Sequence, residues 1–386
     1  MKSFNYHQTT EIIFGRGRIR ELGTIARKWG NRALLVTTNS SSTFLGDLFN
    51  SIIKDLSAAG IEVCHFKGVI PNPTVKSISE GAAMARLFKA DLIIGIGGGS
   101  SMDSAKAIAV EATHEGVCWD YLFYKKQPTD KTLPVIAVST TSGTGSQVTQ
   151  VAVVTNSDTR DKSALYNNLL YPRACIIDAD LMVSAPSFIT ACTGFDTFCH
   201  AFESLLHPNK GAYVELLAWE ALQLVCNSLP KLLKDLNNID HREQMAWADT
   251  LAGLCIANAG VTLPHGICMA IGGMYPQVAH GEALAIIYPE FCEFTWASAI
   301  LEFARLSRLL NPSLNNLSDN DAAAACGMEV KQLLKQIGLS KKLNEVHIPE
   351  NELEALAKQS MVLPDYKNNP KVASYEEIAE LLKKSF

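Results

Sequence analysis

Residues 91–106 read DLIIGIGGGSSMDSAK. A short apolar run meets three consecutive glycines, Gly97, Gly98 and Gly99, and then a helical pattern that starts near Ser100 or Ser101. A buried strand that turns through glycine into a helix offers free backbone N–H groups and the positive end of the helix dipole to a ligand above the turn. Glycine also lets the backbone approach that ligand closely, so the stretch is expected to cradle a pyrophosphate. Its spacing departs from G-x-G-x-x-G, and a purely structural glycine turn is the bland alternative; the strand before it and the helix after it carry the reading.

Outward from this turn, further apolar runs at 33–37 (ALLVT), 61–66 (IEVCHF) and 134–139 (PVIAVS) alternate with helical patterns at 46–59 and 77–89, and more strands are expected at 151–155 and 174–178. Continuous apolar strands joined by crossover helices predict a parallel sheet covered on both faces, an α/β Rossmann-like dinucleotide-binding domain. After about residue 185 the β-branched runs fade and long helical stretches follow at 213–236, 242–257 and 299–310. The break at 180–186 (DLMVSAP) sets the expected domains at 1–183, α/β, and 184–386, all-helical. Ser374 and Glu377 form a capping-box signal ahead of a last helix.

Two more loops belong with the glycine turn. Residues 139–149 read STTSGTGSQVT, a density of hydroxyls and amides suited to phosphate or ribose, with a solvated turn as its plain alternative. The first strand ends in Thr37, Thr38, Asn39, Ser40, Ser41 and Ser42, and no acid occurs before Asp47. An acidic side chain at such a place binds the ribose 2′-hydroxyl of NAD and repels a 2′-phosphate. Neutral hydroxyls lean instead to NADP over NAD.

The helical half carries Asp196 and His200 four residues apart, hence on one helix face. His265 (LPHG) and His280 (AHGE) lie in or beside the stretch 250–281, which contains no Asp, Glu, Lys or Arg. One carboxylate and three imidazoles make a mixed N/O donor set suited to Fe(II) or Zn(II). His7, His65, His114, His207, His241 and His347 stand in polar or loop-like surroundings and receive no role. The uncharged stretch is interrupted by Pro264, Pro276 and several glycines and reads as protein interior around a site, not as a membrane span.

The whole chain has 386 residues, 47% hydrophobic and 19% charged, with a net charge of −5 and no basic run, which disfavours nucleic acid and anionic membranes as partners. Ten cysteines without a C-x-x-C pair and an N-terminus without a secretory pattern lead to the expectation of a reduced, cytoplasmic protein.

Taken together, PNPT at 71–74, GGGSSMDSAK at 97–106, STTSGTGSQVT, Lys162, GFDTFCHAFES at 194–204, LPHG, AHGE and NNPK near Asn368 resemble the iron-containing, or group III metal-dependent, alcohol dehydrogenases over nearly the full length. The resemblance implies a dehydroquinate synthase-like fold and the metal ligands Asp196, His200, His265 and His280. It also implies cofactor contacts at Thr38, Asn72, Gly97, Gly98, Gly99, Ser100, Asp103, Thr140, Thr141, Thr144 and Lys162, with Asn39 and Ser40 beside them. The expected activity is hydride transfer between a primary alcohol and a nicotinamide cofactor, in a homodimer or larger homo-oligomer. Three features depart from the family. Most relatives carry another histidine shortly after LPHG, where this chain has the run 269–273 (MAIGG); the segment between the last two ligand candidates is a residue longer than in many members; and the usual acid after the first strand is Thr38. The alternatives are a glycerol dehydrogenase-like polyol oxidoreductase and a non-catalytic nucleotide-binding relative. The lyase dehydroquinate synthase would need a basic phosphate-binding cluster that 194–281 does not offer.

Overall fold

The computed structural model describes residues 3–39 and 43–386; Ser40, Ser41 and Ser42 lie outside the described residues. The chain divides into two compact units, one of His7–Ala185 and one of Pro186–Phe386 joined by the N-terminal residues up to Tyr6.

Among the described residues of the first unit eight strands form: β1 (Glu11–Phe14), β2 (Arg32–Thr38), β3 (Glu62–Val69), β4 (Leu92–Gly97), β5 (Val135–Ser139), β6 (Val151–Asn156), β7 (Asp161–Tyr166) and β8 (Ala174–Ile177). Six of them make one parallel sheet in the order β1-β8-β5-β4-β2-β3, as expected for the Rossmann-like class. Strand alternation covers both faces. Leu34, Val36 and Ile93 pack under helices α3 (Val75–Phe88) and α4 (Gly99–Glu111), after α1 (Leu22–Ala26) and α2 (Thr43–Ala58) have covered Leu35, Ile94 and Val138 on the other side.

The strand expected at 151–155 does form, but as β6 in an antiparallel hairpin with β7 outside the main sheet. Its backbone amides are directed to β7 and to the 71–74 turn, where the Thr155 N–H donates to the Pro73 carbonyl at 2.8 Å. β1 has no counterpart among the expected strands. Four residues carry too little pattern to announce a strand, and its place is set by pairing with β8, more than 160 positions away.

The strand order reverses between β2 and β4, which are paired in register from Ala33↔Leu92 to Val36↔Gly95. On the other side Gly97 of β4 pairs with Ser139 of β5. The carboxyl ends of β2, β4 and β5 therefore share one sheet edge, the place where open α/β sheets take ligands.

The second unit is helical: α5 (Ser187–Leu206), α6 (Ala212–Leu232), α7 (Ile239–Asn258), α8 (Leu263–Met274), α9 (His280–Thr295), α10 (Ile300–Leu310), α11 (Asp319–Ala324), α12 (Cys326–Gln336), α13 (Leu353–Ser360) and α14 (Tyr375–Lys384). From Thr190 to Leu206 nearly every side chain of α5 is buried, because α6, α7 and α9 pack around it. A helix covered on all sides buries its polar residues too, which makes Asp196, His200 and Glu203 the ones that demand an explanation. The uncharged stretch is the end of α7, all of α8 and the turn before α9. Among the described residues no single helix is long and apolar enough to cross a membrane.

Candidate metal centre and cofactor loops

Three helices bring the four metal-ligand candidates together. Asp196 and His200 project from the middle of α5, His265 from the first turn of α8, and His280 opens α9. The Asp196 Oδ1 atom lies 3.6 Å from Nε2 of His200, 3.5 Å from Nε2 of His265 and 3.7 Å from Nε2 of His280. The ligand atoms of Asp196, His265 and His280 all lie within 4.8 Å of one another. The rings of His200 and His265 stack at a centroid separation of 4.7 Å, and that of His265 meets His280 edge-on at 5.4 Å. Gly281 lets α9 come this close to α5, since a Cβ there would overlap the carbonyl oxygen of Cys192.

Hydrogen bonds behind the rings decide which nitrogen faces inward. His265 Nδ1 is 2.8 Å from Oε1 of Glu203, an acceptor, so Nδ1 is the donor and, in the neutral imidazole, Nε2 carries the lone pair. Oε2 of Glu203 accepts the backbone N–H of Thr262 at 2.8 Å and its hydroxyl at 3.3 Å. Behind His280, the Cys268 thiol donates to the His280 carbonyl at 3.2 Å, which leaves Sγ as an acceptor for Nδ1 at 2.9 Å. Both imidazoles thus present a lone pair toward a carboxylate oxygen. Asp196 Oδ1 and His265 Nε2 are buried and make no hydrogen bond. Lone pairs facing an anion in a dry interior repel one another unless a cation lies between them, so this arrangement fits a divalent ion.

Electrostatics agree. Burial opposes ionisation of Asp196, but His200, His280 and His265 outweigh it and hold the carboxyl well below the usual carboxylate range. Burial likewise pulls the His265 imidazole down, yet the Glu203 and Asp196 carboxylates overcome this and push it up to about 10. A site that raises a base's affinity for a proton this far favours positive charge. Asp365, on the turn Pro364–Asn368, stands against the α8 backbone at Gly266; burial pushes its carboxyl up to about 7.

Glu203 and Cys268 are not among the residues that the sequence singles out. A signal exists for each: Glu203 is seven residues after Asp196 and Cys268 three after His265, so each shares a helix face with a ligand candidate. Phe195, Met269, Met274 and Tyr275 are candidates for an apolar pocket, with core packing as the alternative. Phe195 is buried and stacked on Phe198 at 5.5 Å, and the Tyr275 hydroxyl donates to Glu352 at 2.7 Å. Met269 is buried on α8, one turn after His265.

In the first unit, the helix after the glycine turn begins at Gly99, one to two residues earlier than the sequence suggests, with Gly98 as its N-cap and no side-chain cap. Its first N–H groups are therefore open to a ligand. Gly97 has φ 148°, and a Cβ on it would strike the Ser101 hydroxyl. Ser100 lies in the first turn of α4. The Thr140 N–H donates to the Gly97 carbonyl at 2.9 Å, and a Cβ at Gly98 would lie 3.1 Å from the Thr141 hydroxyl. Thr144 lies against Gly99, 2.7 Å from where a Cβ would be. Thr38 ends β2 and Asn39 follows it, exposed; Ser40 lies outside the described residues. Asn72 adopts φ 54° and its Oδ1 accepts from Lys162 Nζ at 2.8 Å, so these two meet although 90 residues apart. Asp103 differs in its engagement: Oδ1 accepts the Ser146 hydroxyl at 2.6 Å and Oδ2 the Val153 N–H at 3.0 Å, both within the unit.

A family model described as iron-containing alcohol dehydrogenase matches residues 9–179, and the C-terminal model of the Fe-containing alcohol dehydrogenase family matches residues 190–386. The chain belongs to the iron-containing alcohol dehydrogenase family. The NAD-dependent methanol dehydrogenase of Bacillus methanolicus is 31% identical over 98% of this chain and 99% of that protein. The 1,3-propanediol dehydrogenase of Klebsiella pneumoniae is 30% identical over 100% of this chain and 99% of its own. Among solved structures, an archaeal halo-thermophilic Red Sea brine pool alcohol dehydrogenase bound to NZQ superposes with a TM-score of 0.95 at 33% identity, covering all of both chains. The fold and the family agree with the resemblance carried by the sequence motifs. This iron-containing alcohol dehydrogenase family member is an oxidoreductase that interconverts alcohols and carbonyl compounds.

Proposed function

We propose that Asp196, His200, His265 and His280 hold one divalent cation, Fe(II) with Zn(II) as the alternative, and that the loops after β2, β4 and β5 hold a nicotinamide dinucleotide. The carrying observation is the buried Asp196 Oδ1, without a hydrogen bond and 3.5–3.7 Å from three imidazole nitrogens. When bound, the ion supplies Lewis acidity toward the alcohol or carbonyl oxygen and the nicotinamide accepts or donates the hydride. The chain's own part is positional and electrostatic. Glu203 and Cys268 fix the tautomers and orientation of His265 and His280, and the surrounding helices bury Asp196, His200 and His265 while leaving His280 partly exposed. The run 269–273 (MAIGG) offers no imidazole where relatives carry the extra histidine, so no side chain of that run would take up the alcohol proton. The intact donor set favours this reading over a nucleotide-binding relative without turnover.

For the dinucleotide we propose NADP in preference to NAD. The support is the neutral Thr38 at the end of β2, with no acid before Asp47. The methanol dehydrogenase relative is named as NAD-dependent, so cofactor choice is the finer question to test. Thr38→Asp is expected to shift the ratio of kcat/KM toward NAD by about tenfold; an unchanged ratio removes Thr38 from cofactor selection.

The deciding experiment is metal analysis of anaerobically purified protein, followed by chelation and re-addition of Fe(II) or Zn(II), with absorbance at 340 nm read on a panel of short aldehydes and both reduced cofactors. Loss of turnover on chelation and its return with metal support the assignment. Full turnover in metal-stripped protein, or in His265→Ala, overturns it.

A further inference from the structure

We infer that Lys106 is a positioning residue for the dinucleotide, holding loop 139–149 in its ligand-ready form from beneath. The inference rests on the reading that the first unit binds this cofactor.

Lys106 is fully buried. A lysine is almost never found so without strong partners, because taking an ammonium out of water costs several kcal/mol. Its Nζ has three hydrogens and four oxygen neighbours: the Ser146 carbonyl at 2.6 Å, the Val151 carbonyl at 2.8 Å, the Ser146 hydroxyl at 2.9 Å and the Thr149 hydroxyl at 3.3 Å. Every one of these belongs to the end of loop 139–149 or to the first residue of β6. Asp103, one turn earlier on α4, completes the arrangement by accepting the same Ser146 hydroxyl and the Val153 N–H.

From Ser146 the linkage runs back to the ligand-facing surface. The Ser146 N–H donates to the Thr144 hydroxyl at 3.3 Å, and Thr144 in turn lies against Gly99 at the start of α4. A single helix therefore does two things. Its first turn presents open N–H groups, and the turns that follow carry the two side chains, Asp103 and Lys106, that hold the neighbouring loop against those groups.

The energetics separate this role from plain fold stability. Compared with a well-packed apolar group, a buried ionic group contributes little net stability, although removing Lys106 alone leaves its four acceptors unmet and also weakens the fold. What a lysine with four fixed acceptors does supply is a single loop geometry present before the ligand arrives. Without it, ordering of that loop must be met out of the binding energy.

The test compares wild type, Lys106→Met and Ser146→Ala in the full chain. Dissociation constants for NADPH and NADH are measured by fluorescence titration, KM for cofactor and kcat at saturating cofactor by absorbance, and metal content by elemental analysis. Lys106→Met is expected to raise the cofactor dissociation constant and KM by about tenfold or more. The expected kcat at saturation, KM for the alcohol and metal content stay at wild-type values, a split that general destabilisation does not produce. Ser146→Ala, which removes one acceptor and the hydroxyl bridge to Asp103, is expected to give a smaller rise in the same direction, about threefold. A folded Lys106→Met protein with wild-type cofactor affinity overturns the inference. If that variant does not fold, unchanged affinity in Ser146→Ala does so instead. Absence of binding of both dinucleotides by wild-type protein overturns the cofactor reading itself, a result distinct from wild-type binding that the variants leave untouched.

Discussion

Replacing Glu203 by Gln removes one charge from behind the candidate metal centre while almost preserving shape. Glu203 is wholly buried, and its two oxygens receive three donors: His265 Nδ1 at 2.8 Å, the Thr262 N–H at 2.8 Å and the Thr262 hydroxyl at 3.3 Å. Glutamine has only one acceptor oxygen, so it can serve His265 or the Thr262 amide, while its NH2 group confronts whichever donor remains. A hydrogen bond to a charged group contributes roughly 1.5–3 kcal/mol, and each 1.4 kcal/mol is about a factor of ten. Metal affinity is therefore expected to fall by about 10- to 100-fold, the range typical for partners behind a ligating histidine. Metal-stripped wild type and Glu203→Gln are titrated with Zn(II) against a chromophoric chelator, and circular dichroism establishes that both are folded. Equal affinity in the two folded proteins would refute the claim that Glu203 prepares His265 to bind a cation.

Three further outcomes follow from the same packing. Cys268→Ala removes the sulfur that accepts from His280 Nδ1, and chelator competition should show metal affinity lower by several-fold, whereas Cys268→Ser should restore most of it; an alanine variant equal to wild type would remove the thiol from the site. Gly281→Ala drives a methyl group into the Cys192 carbonyl, a rigid backbone atom, so thermal unfolding should reveal a loss of about 1–3 kcal/mol accompanied by weaker metal retention. An unchanged Tm would mean that α5 and α9 can separate freely there. His65 concerns pH: burial first, and the charge of Lys67 second, lower its imidazole from 6.5 to about 4. Between those values the unfolded chain takes up a proton that the folded chain refuses, so the folded state keeps its full stability above pH 6.5 and loses it as pH falls toward 4. After discounting for partial exposure the effect is roughly 1–2 kcal/mol. Urea denaturation of His65→Gln at about pH 7 and about pH 4.5 should show a correspondingly flatter pH dependence; a slope equal to wild type would contradict it.

Much of the first unit could be read directly. The strand at 91–96, the three glycines and the helix after them are adjacent in the chain, and local backbone chemistry is enough to form such a turn. The strand–helix alternation likewise announces a parallel sheet, since apolar runs buried on both faces have few other solutions. The hairpin β6–β7 was less legible, because a short β-prone run does not say which edge it pairs with.

At the candidate metal centre the same division holds. Asp196 and His200 could be paired from their spacing of four on one helix, and the uncharged stretch 250–281 singled out His265 and His280, in agreement with the family motifs. Tertiary packing alone brought those last two, from the first turns of different helices, to within 4 Å of one carboxylate oxygen. It alone also gave Glu203 and Cys268 their work, and placed Lys106 beneath a loop 40 residues further on. Period and propensity act through neighbours in the chain and so determine turns, helix faces and strands. Desolvation and charge pairing act through neighbours in space, and only a closed core makes a buried carboxylate, an imidazole or an ammonium find its partner.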